Sequence, residues 1–347
     1  TGANASPTAT FEILEGAGAA LEANPADRTL TAGVGVRDFI VYFATDTTRI
    51  SVDNVGGTDF APFTTVPLTV GASDFARLHL VLPGQGYLAG QAPYDGYGGT
   101  TGVITTQIAG SLFSVAVRAT DKYYNRISTN ISVQLITDDL YDDAVYGPAT
   151  LSAGLETISV TLKTSTETAP NPNRVIARCM DVSWCSTYKI ERGTSVHVPV
   201  NAADAAAFSL IVPNESFVPG DVSNFGKTGS ADSQVVGSSL ALTVRYVDAY
   251  YNKVPAPSPI PRVKIISEDP YANQGFEVNL STGEYAFSYF YFRKANLSPG
   301  WRIFATTAVT SAVSSVFWST SPYIAAAAVN TDRLLVILPN ETYDPGN

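Results

Sequence analysis

At 347 residues the chain exceeds what one hydrophobic core usually serves, about 250 residues, and has room for two or three domains. Only 15% of the residues are charged, the net charge is −10 and no basic stripe occurs, which argues against nucleic-acid binding and against adhesion to anionic membranes. Abundant Thr, Ser, Val, Ala, Gly and Tyr predict strands joined by turns, hence an all-β protein, and no run of 18 apolar residues predicts a membrane-inserted segment.

In chain order, residues 1–73 carry TATFEILEGAG, then LTAG (30–33), the alternating stretch RDFIVYFATD (37–46) and the edge-like TVPLTVGASD. Residues 77–90, RLHLVLPGQGYLAG, open a second pattern: an apolar strand broken at Pro83 and closed by Gly90. The same pattern returns as AFSLIVPNESFVPG (207–220) and as RLLVILPNETYDPG (333–346), with Pro213 and Pro339, Gly220 and Gly346 in the same places. After it, GGTTGVITTQIAGSLFSVAVRATDKYYNRI (98–127) matches FGKTGSADSQVVGSSLALTVRYVDAYYNKV (225–254), so that Asp121, Tyr123, Tyr124 and Asn125 fall on Asp248, Tyr250, Tyr251 and Asn252. VQLITDD and VKIISED follow, then LSAG (151–154) and LSTG (280–283), each preceding an alternating strand.

The opening 73 residues match only the later blocks of this repeat, so they read as the second half of a unit. Val70, Val200 and Val329 align on the closing edge strands, which sets the units at 1–73 (half), 74–203, 204–331 and the first strand of another at 332–347. Within a unit, about seven short strands separated by turns predict a β-sandwich. Phe113, Val115 and Val117 alternate with Ser114, Ala116 and Arg118, so one face is buried and the other wetted.

The ordered set of an apolar strand, LPG or LPN, PG, GKTG, D-x-Y-Y-N, S-x-D and L-S-x-G resembles the bacterial immunoglobulin-like repeats of large secreted and cell-surface proteins. The resemblance implies tandem immunoglobulin-like sandwiches in an elongated array, of the stalk or adhesin kind, and implies no chemistry. Units of about 130 residues are longer than the roughly 100 typical of the fold, which predicts elaborated loops.

Candidate sites are few. Asp138, Asp139, Asp142 and Asp143 in TDDLYDDAVYG offer hard oxygen ligands for calcium at a unit junction, against the plainer reading of an acidic surface loop. Cys179 and Cys185, the only cysteines, close a disulfide loop in an oxidising compartment or stay as two thiols. GDVSNFGKTGS (220–230) has the wrong spacing for a phosphate loop and reads as a turn. The two D-x-Y-Y-N turns use Asp and Asn to bond the turn backbone, with a ligand contact through the tyrosines as the alternative. EYAFSYFYFRK (284–294) places Tyr285, Phe287, Tyr289 and Tyr291 on one face and Phe290 and Phe292 on the other, suiting a covered strand, a protein interface or a platform for sugars. Six Asn-x-Ser/Thr sequons occur, of which Asn130, Asn214, Asn279 and Asn340 are the glycosylation candidates. His79 and His197 lie on framework strands without a nucleophile motif nearby, so no enzyme is expected.

The expectation is therefore a non-enzymatic extracellular or cell-surface protein, a stalk or filament without cofactors. The alternative is an adhesin or carbohydrate-binding module that meets cell-surface glycans through its tyrosine-rich loops. The terminal strand either opens a further unit of a longer chain or, through Leu334, Leu335, Val336, Ile337, Leu338 and Tyr343, adds to the half unit of another copy. The half unit also lacks its D-x-Y-Y-N strand, which favours the longer chain.

Overall fold

A computed structural model describes residues 8–14, 26–55, 61–143, 145–167, 173–187, 189–330 and 334–346. Its regular structure is almost wholly strand; the single helix among the described residues, Val182–Thr187, spans 6 residues.

The long strand Leu112–Thr120 organises the second unit. Its alternation puts Phe113, Val115 and Val117 inward, and it pairs antiparallel with Arg77–Val81 on one side and Leu155–Thr161 on the other. Facing this sheet is a second, in the order Tyr146–Thr150, Ser132–Thr137, Val175–Cys179, Gly193–Thr194. Val133, Leu135, Val175 and Ala177 from its inner face join Val115, Val117 and Val160 in one core, all fully buried. Each buried Val or Leu side chain contributes about 1.5–3 kcal/mol. A short edge strand, Gln107–Ile108, runs parallel to the last strand, Val200–Asn201.

The third unit repeats this plan. Ala205–Ile211, Leu240–Asp248 and Glu284–Phe290 form one sheet; Glu277–Asn279, Arg262–Ser267, Ile303–Thr307 and Trp318–Thr320 form the other. Gln234–Val235 runs parallel to Ile324–Ala327. Strands one, two and five in one sheet and three, four, six and seven in the other is the immunoglobulin-like arrangement. The chain is an all-β array of tandem immunoglobulin-like sandwiches.

Four departures from the sequence reading have physical causes. Gln107 pairs Val200 while Gln234 pairs Ala326, so Ala326, and not Val329, stands in the place of Val200. In the aromatic strand the spacing of partners changes: Leu240 faces Phe290 and Leu242 faces Phe287, two residues against three. This bulge turns Phe287 inward beside Phe290 and Phe292 and leaves Tyr289 outside, breaking the expected faces. Among the described residues of 1–73 only the second of the two sheets forms, from Arg28–Thr29, Thr8–Leu14, Thr45–Asn54 and Phe63–Thr64, with Leu68–Val70 also paired to Thr45–Asn54. Residues 37–44, expected as an alternating strand, form none. Their counterparts pair with the long central strand, and no copy of that strand occurs in this segment. For the same reason residues 334–338 form no strand, and Leu334, Leu335, Val336, Ile337, Leu338 and Tyr343 are exposed.

Candidate interface at the joints between units

The D-x-Y-Y-N turns do more than close a hairpin. Asp121 Oδ1 accepts from the N–H groups of Tyr123 and Asn125, both at 2.9 Å, folding the turn on itself. Its Oδ2 accepts from Asn125 Nδ2 at 3.0 Å and from the Ser73 N–H at 3.0 Å, the latter in the segment that leaves the half unit. Asn125 then reaches back: its Nδ2 donates to the Tyr42 carbonyl at 2.7 Å, and its Oδ1 accepts from the Ala44 N–H at 2.8 Å.

The second joint repeats this bond for bond. Asp248 Oδ1 accepts from Tyr250 and Asn252, and its Oδ2 from Asn252 Nδ2 and the Ala203 N–H. Asn252 Nδ2 donates to the Lys163 carbonyl at 2.8 Å and Asn252 Oδ1 accepts from Ser165 N–H at 2.8 Å. Asp121, Asn125, Asp248 and Asn252 are all buried. A carboxamide is both donor and acceptor, so one Asn can satisfy an N–H and a carbonyl two residues apart, which a carboxylate or an ammonium cannot. Buried groups of this kind are costly unless fully paired, and here every one is.

The two tyrosines divide the work. The first crosses the joint: Tyr123 packs on Tyr42 and Tyr94, with ring centroids 4.8 and 5.0 Å away, and the Tyr250 ring lies on Gly110, where a Cβ would come within 2.2 Å of it. The second turns inward in the left-handed region, φ 66° at Tyr124 and 60° at Tyr251, beneath Gly99 and Gly226. Those glycines are obligatory, since a Cβ on either would meet the tyrosine ring at 2.4 or 2.6 Å. Gly220 serves the joint in the same manner, lying against Thr164 and Tyr141 of the preceding unit.

The acidic loop belongs to this joint, and its carboxylates turn to protein donors. Asp139, buried, accepts from the N–H groups of Lys163 and Thr164 at 2.7 and 2.8 Å and from the Thr164 hydroxyl. It thereby shapes the 163–165 segment that Asn252 grips. Asp138 turns to Arg174, Asp142 takes the hydroxyls of Thr137 and Tyr146, and Asp143 pairs with Lys163 at 2.8 Å, raising the pKa of that ammonium. Four carboxylates with four separate sets of protein donors do not converge, and no metal-ligating cluster occurs among the described residues. In the third unit Asp269 repeats the part of Asp139 by accepting from Arg293 and Lys294, while the Arg302 guanidinium holds the Glu268 carboxyl below its usual range. Glu15, the acid of the half unit, lies outside the described residues.

Cys179 and Cys185 are joined in a disulfide between the end of strand Val175–Cys179 and the short helix, with Cα atoms 6.4 Å apart. Lys227 of the GKTG turn donates to the Leu210 carbonyl and to Glu215, an internal employment that leaves no phosphate cradle. His79 is buried with Nε2 on the Gly98 carbonyl at 3.0 Å, and burial lowers its pKa to about 4, so it is a neutral core residue at pH 7. Asn130, Asn214, Asn279 and Asn340 are exposed.

Sequence reasoning isolated the D-x-Y-Y-N turns but missed what they hold. The receiving groups are backbone atoms of residues 42–44 and 163–165, whose side chains share nothing. The available signal was the pairing of Asp with Asn four residues apart in both copies, more polar capacity than one turn consumes.

No protein-family model matches the chain, and no curated protein matches it. Among solved structures it is similar to trypsin-activated α2-macroglobulin from Escherichia coli, at 14% identity over 92% of this chain and 21% of that one, TM-score 0.29. It is similar to domains 4–9 of the surface layer protein SbsC, at 12% identity over 93% and 39%, TM-score 0.22. The Escherichia coli adhesin FdeC matches at 15% identity over 81% and 75%, TM-score 0.27. The chain thus spans well under half the length of the first two, and likeness at this level says nothing about role.

Proposed function

We propose that these residues belong to a non-enzymatic extracellular structural protein, in which immunoglobulin-like sandwiches are locked end to end as a surface stalk or filament. The observation that carries this reading is the bond-for-bond repetition of the joint. A flexible tether between independent domains needs no buried Asp and Asn at each boundary. The parallel pairing of the early edge strand with the last strand in each complete unit supports a part under tension, because pulling on the ends loads those bonds together. The disulfide supports an oxidising compartment.

A binding role has one observation in its favour. In the third unit the opening strand and Trp318–Thr320 flank a cleft of about 800 Å³ with exposed Phe225, Trp318 and Tyr323. In the second unit the same place narrows to about 20 Å³, because Glu191 donates its N–H to the Ala76 carbonyl and accepts from the Leu78 N–H across it. The tyrosine loop 94–99, by contrast, is tied to the joint through Tyr94. The structural reading is the stronger one because aromatic packing gathers at a junction.

Single-molecule pulling on the full chain tests it. Two separate unfolding events are expected, each lengthening the chain by about 40 nm, the contour of about 120 residues at ~3.5 Å each. Extension without discrete force peaks would sink the structural reading, and selective capture by immobilised glycans, abolished by Trp318→Ala, would replace it with the binding one.

A further inference from the structure

Resting on the joint described above, we propose that the far end of the third unit is a preformed socket. Its partner is another immunoglobulin-like sandwich carrying an Asp-x-Tyr-Tyr-Asn turn, seated by way of residues 339–346.

Three independent features of the second joint recur there. The first is the backbone pair. Asp139 holds the N–H groups of Lys163 and Thr164, which presents the Lys163 carbonyl and the Ser165 N–H to Asn252. Asp269 holds those of Arg293 and Lys294 at 2.7 and 3.0 Å, so the Arg293 carbonyl and the Ala295 N–H occupy the corresponding positions. Among the described residues neither has a hydrogen-bond partner, and both residues are exposed. An acceptor and a donor at this spacing call for a carboxamide.

The second feature is the glycine platform. Gly110 donates its N–H to the Leu162 carbonyl and carries the Tyr250 ring. Gly237 donates to the Phe292 carbonyl in the same way, has φ +80°, and has open space around its Cβ position, the shape that receives a tyrosine.

The third is the seating loop. Gly220 rests on Thr164 and Tyr141; Gly346, its counterpart in the repeat, rests on Lys294, 2.9 Å from a built Cβ to Lys294 Cβ. Asp344 beside it takes the Tyr271 hydroxyl and pairs with Lys294 Nζ at 3.5 Å. Residues 339–346 thus already lie on the third unit as the opening loop of the third unit lies on the second. The exposed Leu334, Val336 and Leu338 then stand where a sandwich would cover them.

The test is amide hydrogen exchange on the full chain and on a version in which a second copy of residues 221–330 follows Gly346. In the chain itself Ser165 exchanges slowly and Ala295 fast. In the extended version the Ala295 amide slows by at least about tenfold, the factor equivalent to ~1.4 kcal/mol, and Asn→Ala in the added copy of the turn restores its fast exchange. Unchanged Ala295 exchange beside a protected added copy overturns the proposal, and so does an added copy that fails to acquire protection, since the seated loop then does not prime a further unit. Asn252→Ala in the unextended chain separates the two readings. If Ser165 stays slow, the joint itself has been misread; if Ser165 speeds up and Ala295 does not respond to the extension, only the socket falls.

Discussion

RLHLVL at 77–82 and RLLVIL at 333–338 share three of six residues and the same run of apolar side chains, yet Leu78 is 2% exposed and Leu334 is 94% exposed. The first is a strand inside a core; residues 334–338 form no strand. The difference lies outside both segments. Residues 77–81 have Leu112–Thr120 to bond along one edge and a facing sheet to cover them, while among the described residues 334–338 have neither. Residues 37–44 tell the same story from the other end of the chain. A β-strand is a property of a pair, and alternation in sequence records only which pair would suit it.

The largest test of this contrast is truncation of equivalent side chains. Leu80→Ala should cost about 3 kcal/mol of the second unit's stability by leaving a cavity, whereas Val336→Ala, exposed, should cost under ~0.5 kcal/mol. Urea unfolding of the two variants reads the difference directly, and equal effects would mean that residues 334–338 pack somewhere in solution.

Acid should separate the copies next, because the position after the first aliphatic is His79 in the second unit, Ser209 in the third and Leu335 at the end. Burial lowers the folded pKa of His79 to about 4 from an ordinary 6.5. Between those values the unfolded chain binds a proton that the folded unit refuses, so stability falls as pH falls. The contribution is complete above about pH 6.5 and lost progressively toward pH 4, about 3 kcal/mol in all. Exchange-detected unfolding at pH 7 and pH 4.5 should weaken the second unit more than the third, and His79→Ser should remove that difference.

The smallest effect compares the inward tyrosines. The Tyr124 hydroxyl accepts from Gly96 N–H, Gly98 N–H and Arg77 at 2.9, 3.1 and 3.1 Å, so Tyr124→Phe should strand those donors at a cost of about 2 kcal/mol. The Tyr251 hydroxyl has no such set among the described residues and lines the open cleft, so Tyr251→Phe should be nearly silent. Thermal unfolding of the pair decides whether the two copies differ in this way.

Much of the fold was legible in the sequence. The repeat and the sandwich followed from motif order, because strand alternation and turn residues are local and recur at fixed places. The candidate site was legible only in part: Asp121, Asn125, Asp248 and Asn252 stood out, but their partners are peptide groups, which every residue possesses. The acidic loop was legible only as a cluster, for a related reason. Asp138, Asp139, Asp142 and Asp143 are adjacent in sequence, and only the fold sends each to a different donor.

What the sequence determined by itself was the periodic plan: which faces are apolar and where each unit turns. Tertiary structure alone decided which alternating segments become strands, that the bulge brings Phe287 inside with Phe290, and that the Asp-x-Tyr-Tyr-Asn turns grip the preceding unit. Pattern fixes what a side chain can do, but hydrogen bonds and burial need two partners, and the second is chosen by contacts far apart in the chain.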